Sequence, residues 1–206
     1  MDNTRTNILK ATDEQLLAAY LGGDRGAFAD LVRRHEQELY RFLRRFTGDA
    51  AAAEDVFQEA FLQVHQSARS FDPSKSFRPW LFTIAANKAR DLLRSRARRR
   101  TVSTDAPMDR EGVTTLLSSM PCLDAGPADR AQTAEIERRV TAVVEGLPAT
   151  HREVLLLAYF HQFPYRQIGQ VLNLPLGTVK SRLHVAVRAF STAWNKANKP
   201  SEFERN

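Results

Sequence analysis

The side chains with the clearest chemical pattern lie in residues 176–194. Val179, Leu183, Ala186 and Phe190 recur at steps of three and four residues, so a helix over this range turns them toward a core. The opposite side presents hydroxyls, cations and an imidazole: Thr178, Lys180, Ser181, His184, Val185 and Arg188. Such groups can hydrogen-bond base edges in a DNA groove while neutralising phosphates. The pattern predicts a DNA-reading helix, and the competing interpretation is an ordinary solvated helix face.

A short helix and a tight turn directly before this range favour the DNA-reading interpretation. Pro164 opens a helix over Tyr165–Leu172, and Asn173, Leu174 and Pro175 form the turn. Two short helices around such a turn are typical of a helix-turn-helix motif. Further upstream, Thr150-His151-Arg152-Glu153 has the spacing of a capping box, which predicts an apolar helix that ends at Gln162.

A second pattern is the cluster of cations between residues 88 and 100. It holds seven Lys or Arg side chains and a single acidic one, Asp91. The following segment, 101–133, is acidic and interrupted by Pro and Gly. The whole chain carries a formal net charge of +6. A basic block followed by an acidic, turn-rich one predicts a polyanion-binding surface and a separate linker.

The elements that position these groups are all expected to be helices. Periodicity predicts a first helix over Asp13–Leu21 and two further helices that end near residues 46 and 67. It predicts a fourth helix from Phe77 into the arginine cluster and a later one over 134–145. No segment alternates apolar and polar residues as a strand does. We therefore expect an all-α fold of two small helical domains, 13–100 and 134–195, joined by a flexible linker over 101–133. The second domain carries the helix-turn-helix.

Several classes of protein are excluded by composition. The longest apolar run, residues 154–160, is far shorter than the ~20 residues of a membrane span, and the N-terminus lacks the apolar stretch of a secretory signal. Cys122 is the only cysteine, which fits a reducing compartment, so we expect a cytoplasmic protein. The histidines lack zinc-site spacing and no Gly-rich phosphate loop occurs. We therefore expect no catalytic residue, metal or cofactor.

The helix-turn-helix residues also carry a family resemblance. Tyr165-Arg166-Gln167-Ile168-Gly169 followed by Leu174-Pro175-Leu176-Gly177-Thr178-Val179-Lys180-Ser181-Arg182-Leu183-His184 resembles region 4 of the extracytoplasmic-function (ECF) sigma factors. The resemblance implies that the last helix reads the minus-thirty-five promoter element. It also implies that the residues that bind this DNA are Tyr165, Arg166, Gly177, Thr178, Lys180, Ser181, Arg182, His184 and Arg188. This chain has Val185 and Val187 where many relatives carry arginine, and Val185 suits a thymine methyl.

The first domain resembles region 2 of the same family. Its segment Ala53-Glu54-Asp55-Val56-Phe57-Gln58-Glu59-Ala60-Phe61 resembles the part that docks on RNA polymerase, which implies a polymerase-binding face of Asp55, Gln58, Glu59 and Leu62. Residues 77–91 resemble the segment that binds the minus-ten element. For this segment and the loop before it, the resemblance implies DNA-binding roles for Phe71, Asp72, Ser74, Lys75, Ser76, Asn87, Lys88, Arg90 and Arg94. We expect the aromatic side chains of Trp80 and Phe82 in the core.

The resemblance implies a sigma factor that binds core RNA polymerase and directs promoter-specific initiation. Its partners would be core polymerase, promoter DNA and an inhibitory anti-sigma factor. The alternative is a stand-alone helix-turn-helix regulator, which would bind its operator without polymerase. A nucleic-acid enzyme is a third possibility, but the sequence offers no catalytic constellation for it.

Overall fold

The computed structural model describes residues 11–102 and 127–198. The first range holds α1 (Asp13–Leu21), α2 (Arg25–Thr47), α3 (Ala50–Ser67), a 3-10 turn (Ala68–Ser70) and α4 (Phe77–Val102). The second range holds α5 (Pro127–Gly146), α6 (Ala149–Leu155) with a π-helical continuation (Leu156–Phe160), α7 (Tyr165–Leu172) and α8 (Leu176–Ala197). Neither range contains a strand, so the expected all-α class is confirmed. We call α1–α4 the first unit and α5–α8 the second unit.

The helices of the first unit begin and end at residues suited to those positions. Thr12 caps α1 in a capping box with Gln15. Asp24 and Asp49 accept hydrogen bonds from the first free backbone N–H groups of α2 and α3. Gly48 ends α2 with a left-handed φ of 73°, which costs a glycine little. These bounds agree with those predicted from the sequence.

The core of the first unit is built around one side of α2. This helix packs against α1, α3 and α4. The buried residues of α2 follow the predicted helical spacing and include Leu31, Leu39, Phe42 and Phe46. Phe82 of α4 is also fully buried and packs on Phe42 at a ring separation of 5.3 Å. Burial of each such side chain contributes roughly 1.5–3 kcal/mol, so this core holds α3 and α4 in place.

The helix-turn-helix of the second unit is fixed by two unusual backbone positions. Asn173 ends α7 in the left-handed region with φ of 53°. A Cβ on Gly169 would lie 2.9 Å from the carbonyl oxygen of Leu174, so only glycine allows the turn to approach α7 this closely. In α8, Val179, Leu183 and Ala186 are buried as their spacing predicted.

Two predictions about the second unit are corrected by the structure. The capping box at Thr150-His151-Arg152-Glu153 does not form, because α6 begins at Ala149 with Pro148 as its N-cap and no side-chain cap. Thr150 therefore lies inside the helix, and Glu153 is 1% exposed. In addition, α5 begins at Pro127 rather than at residue 134. Proline is favoured in the first turn of a helix, whereas the turn-rich sequence predicts that Pro127 lies in the linker.

The two units pack against each other. Helix α7 lies against α4, while α5, α6 and the π-helical segment all contact α2. The described residues thus form one body in which the helix-turn-helix lies beside the basic helix α4.

Candidate nucleic-acid interface

The outward face of α8 carries the residues predicted to read duplex DNA. Lys180, Ser181, His184 and Arg188 are exposed, as are Gly177 before them and Tyr165 and Arg166 on α7. Thr178 is half-buried, and its carbonyl oxygen accepts a hydrogen bond of 3.1 Å from the Ser181 hydroxyl. Val185 is 48% exposed between these polar groups. The helix therefore presents cations, hydroxyls and one apolar side chain together, as a groove-reading surface requires.

Arg182 differs from the other predicted residues of this helix. Its side chain is 26% exposed, and its Nη1 donates to Glu153 Oε1 at 3.2 Å. In this arrangement Arg182 pairs with a buried carboxylate, and its side chain is only partly accessible to solvent.

The cations of α4 are also engaged with neighbouring groups. Arg90 Nη2 donates to Asn87 Oδ1 at 2.6 Å, and its Nε lies 3.6 Å from Glu153 Oε2. Arg94 pairs with Asp91 on the same helix. Lys88 Nζ lies 3.4 Å from Glu59 Oε2 on α3, which links a predicted DNA-binding residue to the predicted polymerase face. The exposed pairs of Arg94 with Asp91 and of Lys88 with Glu59 are weak, so incoming phosphates can replace them.

The loop before α4 has a defined shape. Asp72 accepts hydrogen bonds of 2.7 Å and 3.0 Å from the hydroxyl and the backbone N–H of Ser74. The hydroxyl bond is the main reason that the pKa of Asp72 lies below its ordinary value. Lys75 Nζ is 3.8 Å from the same carboxylate, and Ser76 is exposed. These contacts give the loop a turn whose polar side chains reach solvent.

Aromatic side chains support this loop from beneath. Phe71 packs on Trp80 at 4.9 Å and edge-on to Phe77 at 6.2 Å. Phe77 is fully buried, whereas Phe71 and Trp80 are half-buried. Phe82 lies in the core as predicted. Trp80 is partly accessible beside the loop, where a flat surface could receive an extruded base.

The face predicted to bind polymerase lies on the solvent side of α3. Asp55, Gln58 and Glu59 are exposed, and Leu62 is 56% exposed beside them. The opposite side of α3 is buried through Val56, Ala60, Phe61 and Val64. A protruding leucine among carboxylates suits a partner surface of mixed apolar and basic character.

Sequence reasoning missed a set of polar and charged groups, half-buried or buried, where the two units meet. Arg78 pairs with Glu38 through two guanidinium nitrogens, and His161 Nδ1 lies 3.3 Å from Glu38 Oε1. Burial would raise the pKa of Glu38, but hydrogen bonds from His161 and Arg78 outweigh it and hold that pKa at about 2. Burial lowers the pKa of His161, which fits a neutral imidazole donating to Glu38.

Glu153 is the second part of that buried set. Burial raises the pKa of its carboxyl, and the guanidinium groups of Arg90 and Arg182 oppose this effect. The signal in the sequence was a lone carboxylate directly before the apolar run at Val154. Its spacing predicts a cap, because a buried ion pair between two units is not visible in the spacing of residues along the chain.

Other kinds of site find no support in the described ranges. His, Cys, Asp and Glu side chains there do not cluster in groups that could hold a metal ion. No helix of residues 11–102 or 127–198 has the length and hydropathy needed to cross a bilayer. Cys122 lies outside the described residues.

Both units match family models. Residues 31–99 match Sigma-70 region 2, and residues 137–190 match Sigma-70, region 4. The first match covers most of α2, with α3 and α4, and the second covers the helix-turn-helix.

The chain is also similar to curated proteins along most of its length. It is 33% identical over 162 residues to ECF RNA polymerase sigma factor SigW of Bacillus subtilis, covering 79% of this chain and 86% of that protein. It is 32% identical over 187 residues to RNA polymerase sigma-H factor of Pseudomonas aeruginosa, covering 90% and 95%. It is 36% identical over 177 residues to ECF RNA polymerase sigma factor SigL of Mycobacterium tuberculosis, covering 83% and 93%.

Two solved structures share this fold. CnrH, solved in complex with the cytosolic domain of CnrY, aligns with a TM-score of 0.63 and 26% identity over 91% of this chain and 99% of that one. The sigma factor RpoE, solved with the anti-sigma factor NepR from Bartonella quintana, aligns with a TM-score of 0.60 and 18% identity over 97% and 100%. At 18% identity the second likeness concerns the fold alone.

Proposed function

Because this chain belongs to the sigma-70 family, as an ECF sigma factor that directs transcription initiation, we propose that its two units divide that task. Residues 13–100 dock on core RNA polymerase and capture the melted minus-ten strand. Residues 134–195 read the minus-thirty-five element as duplex. Residues 101–133 tether the two. The proposal rests above all on α8, whose one side is buried while Lys180, His184 and Arg188 on the other reach solvent.

The polymerase face is the exposed set Asp55, Gln58, Glu59 and Leu62. Its carboxylates attract a basic partner surface, and the 56% exposed Leu62 supplies apolar contact at its centre. Glu59 exchanges its contact with Lys88 for one with polymerase, which leaves the Lys88 ammonium available to DNA.

Strand capture falls to the loop and to α4. Phe71, Asp72, Ser74, Lys75 and Ser76 surround a base turned out of the strand. Asn87, Lys88, Arg90 and Arg94 then follow the sugar-phosphate backbone along α4. Cations beside aromatic and polar groups are what single-strand binding requires, because phosphates need charge and extruded bases need a flat or hydrogen-bonding surface.

Duplex reading falls to α7 and α8. Lys180, Ser181 and His184 approach base edges, and Gly177 and Thr178 place the helix start near a phosphate. Tyr165, Arg166, Arg182 and Arg188 contact the DNA backbone. Val185 packs against a thymine methyl, so the element read by this chain contains thymine at that position.

The protein works in the cytoplasm, where core polymerase and promoter DNA are its partners. It is not an enzyme, since polymerase carries out RNA synthesis. An inhibitory anti-sigma protein binds it, which is supported by the solved complex of CnrH with the cytosolic domain of CnrY.

The docking face can be tested by reversing its charge. Asp55→Arg with Glu59→Arg should weaken binding to core polymerase by about tenfold or more, because like charges then oppose each other at the contact. Affinity is measured by fluorescence anisotropy of labelled sigma against purified core enzyme. The matched control is Glu36→Arg with Glu137→Arg, which changes net charge equally at exposed positions. Equal affinity of the two double variants would refute this docking face.

Lys180→Ala tests the reading helix. It should lower transcription from a promoter mapped with wild-type holoenzyme, with a loss of about 1–3 kcal/mol in promoter affinity. Lys196→Ala is the control, since Lys196 is exposed on the same helix beyond the reading face. Initiation rates are compared in vitro with purified core enzyme. If Lys180→Ala initiates as well as Lys196→Ala, α8 does not read this promoter through Lys180.

A further inference from the structure

Helix α1 contacts both ends of the loop to which the proposed function gives strand capture. This loop, residues 71–76, lies between the 3-10 turn Ala68–Ser70 and the start of α4. Helix α1 packs against that turn and also against α4. Leu16 and Leu17, which are 3% and 1% exposed, anchor α1 in the core of the first unit. One buried helix thus connects the two points at which the loop begins and ends.

Glu14 joins α1 directly to the first residue of α4. Its Oε1 accepts a hydrogen bond of 2.8 Å from the backbone N–H of Phe77, which lies 63 residues further along the chain. Phe77 begins a helix of 26 residues, and the first N–H groups of a helix have no acceptor within that helix. A carboxylate at this end also faces the positive end of the helix dipole. Glu14 therefore caps α4 from a different helix.

The turn of α1 that carries Glu14 is itself held on α2. Asp13 Oδ1 accepts a hydrogen bond of 2.8 Å from Arg34 Nη1, and Asp13 Oδ2 lies 2.8 Å from His35 Nε2. Burial raises the pKa of Asp13, but hydrogen bonds from His35 and Arg34 outweigh this effect and hold that pKa below its ordinary value. Arg34 Nη1 also donates to the carbonyl oxygen of Ala11 at 2.8 Å. These contacts fix the position from which Glu14 reaches α4.

Phe77 connects this cap to the aromatic side chains beside the loop. Its ring is fully buried and packs on the ring of His35 at 5.4 Å. It also packs edge-on to Phe71 at 6.2 Å and to Trp80 at 5.8 Å. Phe71 is the first residue of the loop, and Trp80 lies about one turn into α4. The position of Phe77 thus determines where these two half-buried rings lie.

Strand capture requires the loop to have its binding shape before DNA arrives. A loop that is already ordered loses little conformational entropy on binding, so it binds a base more tightly than a mobile loop does. None of the residues proposed to contact DNA belongs to α1. The match to Sigma-70 region 2 begins at residue 31, so α1 lies outside the matched residues as well. An effect of α1 on DNA binding is therefore an effect on the shape of the loop.

We propose that Glu14 is a positioning residue for strand capture, which caps α4 from α1 and thereby fixes the loop of residues 71–76 in the shape that receives a base. This inference rests on the proposed function, which gives the loop and α4 to the minus-ten strand. Glu14 does not contact DNA in this arrangement. It reduces the cost of binding, because it holds the start of α4 in place before the strand arrives.

Three variants test this role. Glu14→Ala removes the acceptor of the Phe77 N–H, whereas Glu14→Gln keeps an oxygen that can accept this hydrogen bond. Glu36→Ala is the matched control, because Glu36 is exposed on α2 and its removal changes net charge equally. Each variant is assembled with purified core polymerase, and fluorescence anisotropy measures its affinity for core enzyme. All three should form holoenzyme as wild type does, because the polymerase face on α3 is unchanged.

The measured quantity is the contribution of a single base to the affinity of the holoenzyme for DNA. The probe is a labelled single strand that carries the non-template minus-ten sequence of a promoter mapped with wild-type holoenzyme. Its bases are removed one at a time as abasic sites, which leave every phosphate in place. The captured base is the one whose removal weakens wild-type binding most, by about fivefold or more. The ratio of intact to abasic affinity is taken within each protein, so it does not depend on the fraction of folded molecules.

At the captured base, Glu14→Ala should reduce this ratio to about twofold or less, because the loop is no longer held in its binding shape. Glu36→Ala should keep the wild-type ratio, and Glu14→Gln should retain most of it. If Glu14 stabilises the fold alone, Glu14→Ala lowers the Tm measured by circular dichroism but leaves the ratio unchanged, and the positioning role is refuted. A loss in Glu14→Gln as large as that in Glu14→Ala would equally exclude the hydrogen bond to Phe77 as the cause.

The same measurement separates this inference from the proposed function. If no abasic site weakens wild-type binding, the loop captures no base, and strand capture fails together with the role of Glu14. If wild type and Glu14→Ala depend equally on the captured base, strand capture stands and only the positioning role is refuted.

Discussion

The arginines of this chain show how neighbours decide what one residue type does. Arg188 on α8 is exposed, whereas Arg182 on the same helix is half-buried and pairs with Glu153. Arg78 is bound on both sides, by the Glu38 carboxylate and by the His161 carbonyl oxygen. An exposed arginine can meet a phosphate at once, but a buried one must first give up a partner. Arg182 and Arg90 therefore depend on conformation in a way that Arg188 does not.

Glu38 should make stability depend on pH. Its pKa is lowered from 4.5 to about 2 in the folded chain, despite burial, by hydrogen bonds from His161 and Arg78. A lowered carboxyl pKa gives stability that is present above the unfolded value and is lost as pH falls toward the folded value. The free energy of unfolding of wild type should thus exceed that of Glu38→Gln above pH 4.5, and the difference should shrink as pH falls toward about 2.

Urea unfolding at a series of pH values measures this difference. Glu36→Gln is the control, because Glu36 is exposed on the same helix. Its difference from wild type should stay near zero throughout. A constant gap between wild type and Glu38→Gln across the range would show that ionisation of Glu38 is not coupled to folding.

At the level of elements, the helix-turn-helix depends on a close backbone approach as well as on its apolar spacing. Because Gly169 on α7 has no Cβ, the carbonyl oxygen of Leu174 can approach its backbone closely. The resulting turn sets the direction in which α8 begins. Asn173 takes the left-handed conformation that reverses the chain. The orientation of the outward face of α8 is therefore decided by these two backbone positions.

Gly169→Ala should destabilise the second unit by about 1–3 kcal/mol, because the new Cβ would lie 2.9 Å from a backbone oxygen that cannot move alone. Thermal unfolding followed by circular dichroism measures the loss as a lower Tm. Gly146→Ala is the matched control, since nothing lies within 4 Å of a Cβ there. An equal Tm for the two variants would mean that the turn adjusts and that the close approach is not required.

At the level of the whole molecule, the proposed function places the two units on promoter elements that lie far apart, whereas α7 contacts α4 in this structure. The chain between Val102 and Pro127 could reach about 85 Å if fully extended, which exceeds the roughly 70 Å between elements two helical turns apart. The connection is thus long enough for each unit to occupy the element that the proposed function gives it.

Shortening this connection should prevent the two units from binding their promoter elements at the same time. Deletion of residues 109–120 reduces its reach to about 45 Å and should lower initiation at a two-element promoter by about tenfold or more, because both units can no longer bind together. The control replaces the same residues with an equal number of Gly and Ser. Initiation rates with core polymerase measure both. Full activity after deletion would exclude a simple tether.

The sequence by itself determined the helices and much of their inward and outward faces. Leu31 and Phe42 are buried and Asp55 and Lys180 are exposed where periodicity predicted them, since a helix repeat depends only on neighbours along the chain. Periodicity also predicted the C-terminal ends of α1, α2 and α3 to within one residue, for the same reason. The motifs around residues 165–184 predicted the family, and the match of residues 137–190 to Sigma-70, region 4 confirms it.

Only the tertiary structure decided which distant segments contact each other and which of their charged groups pair. Thr150 and Glu153 had the spacing of a cap, but Pro148 starts α6 and Glu153 is instead buried between cations from α4 and α8. The sequence indicates no role for His161, whereas in the fold its side chain contacts Phe42, Phe82 and Glu38. Long-range burial and charge pairing depend on which surfaces meet in space, and the linear spacing of residues does not encode that meeting.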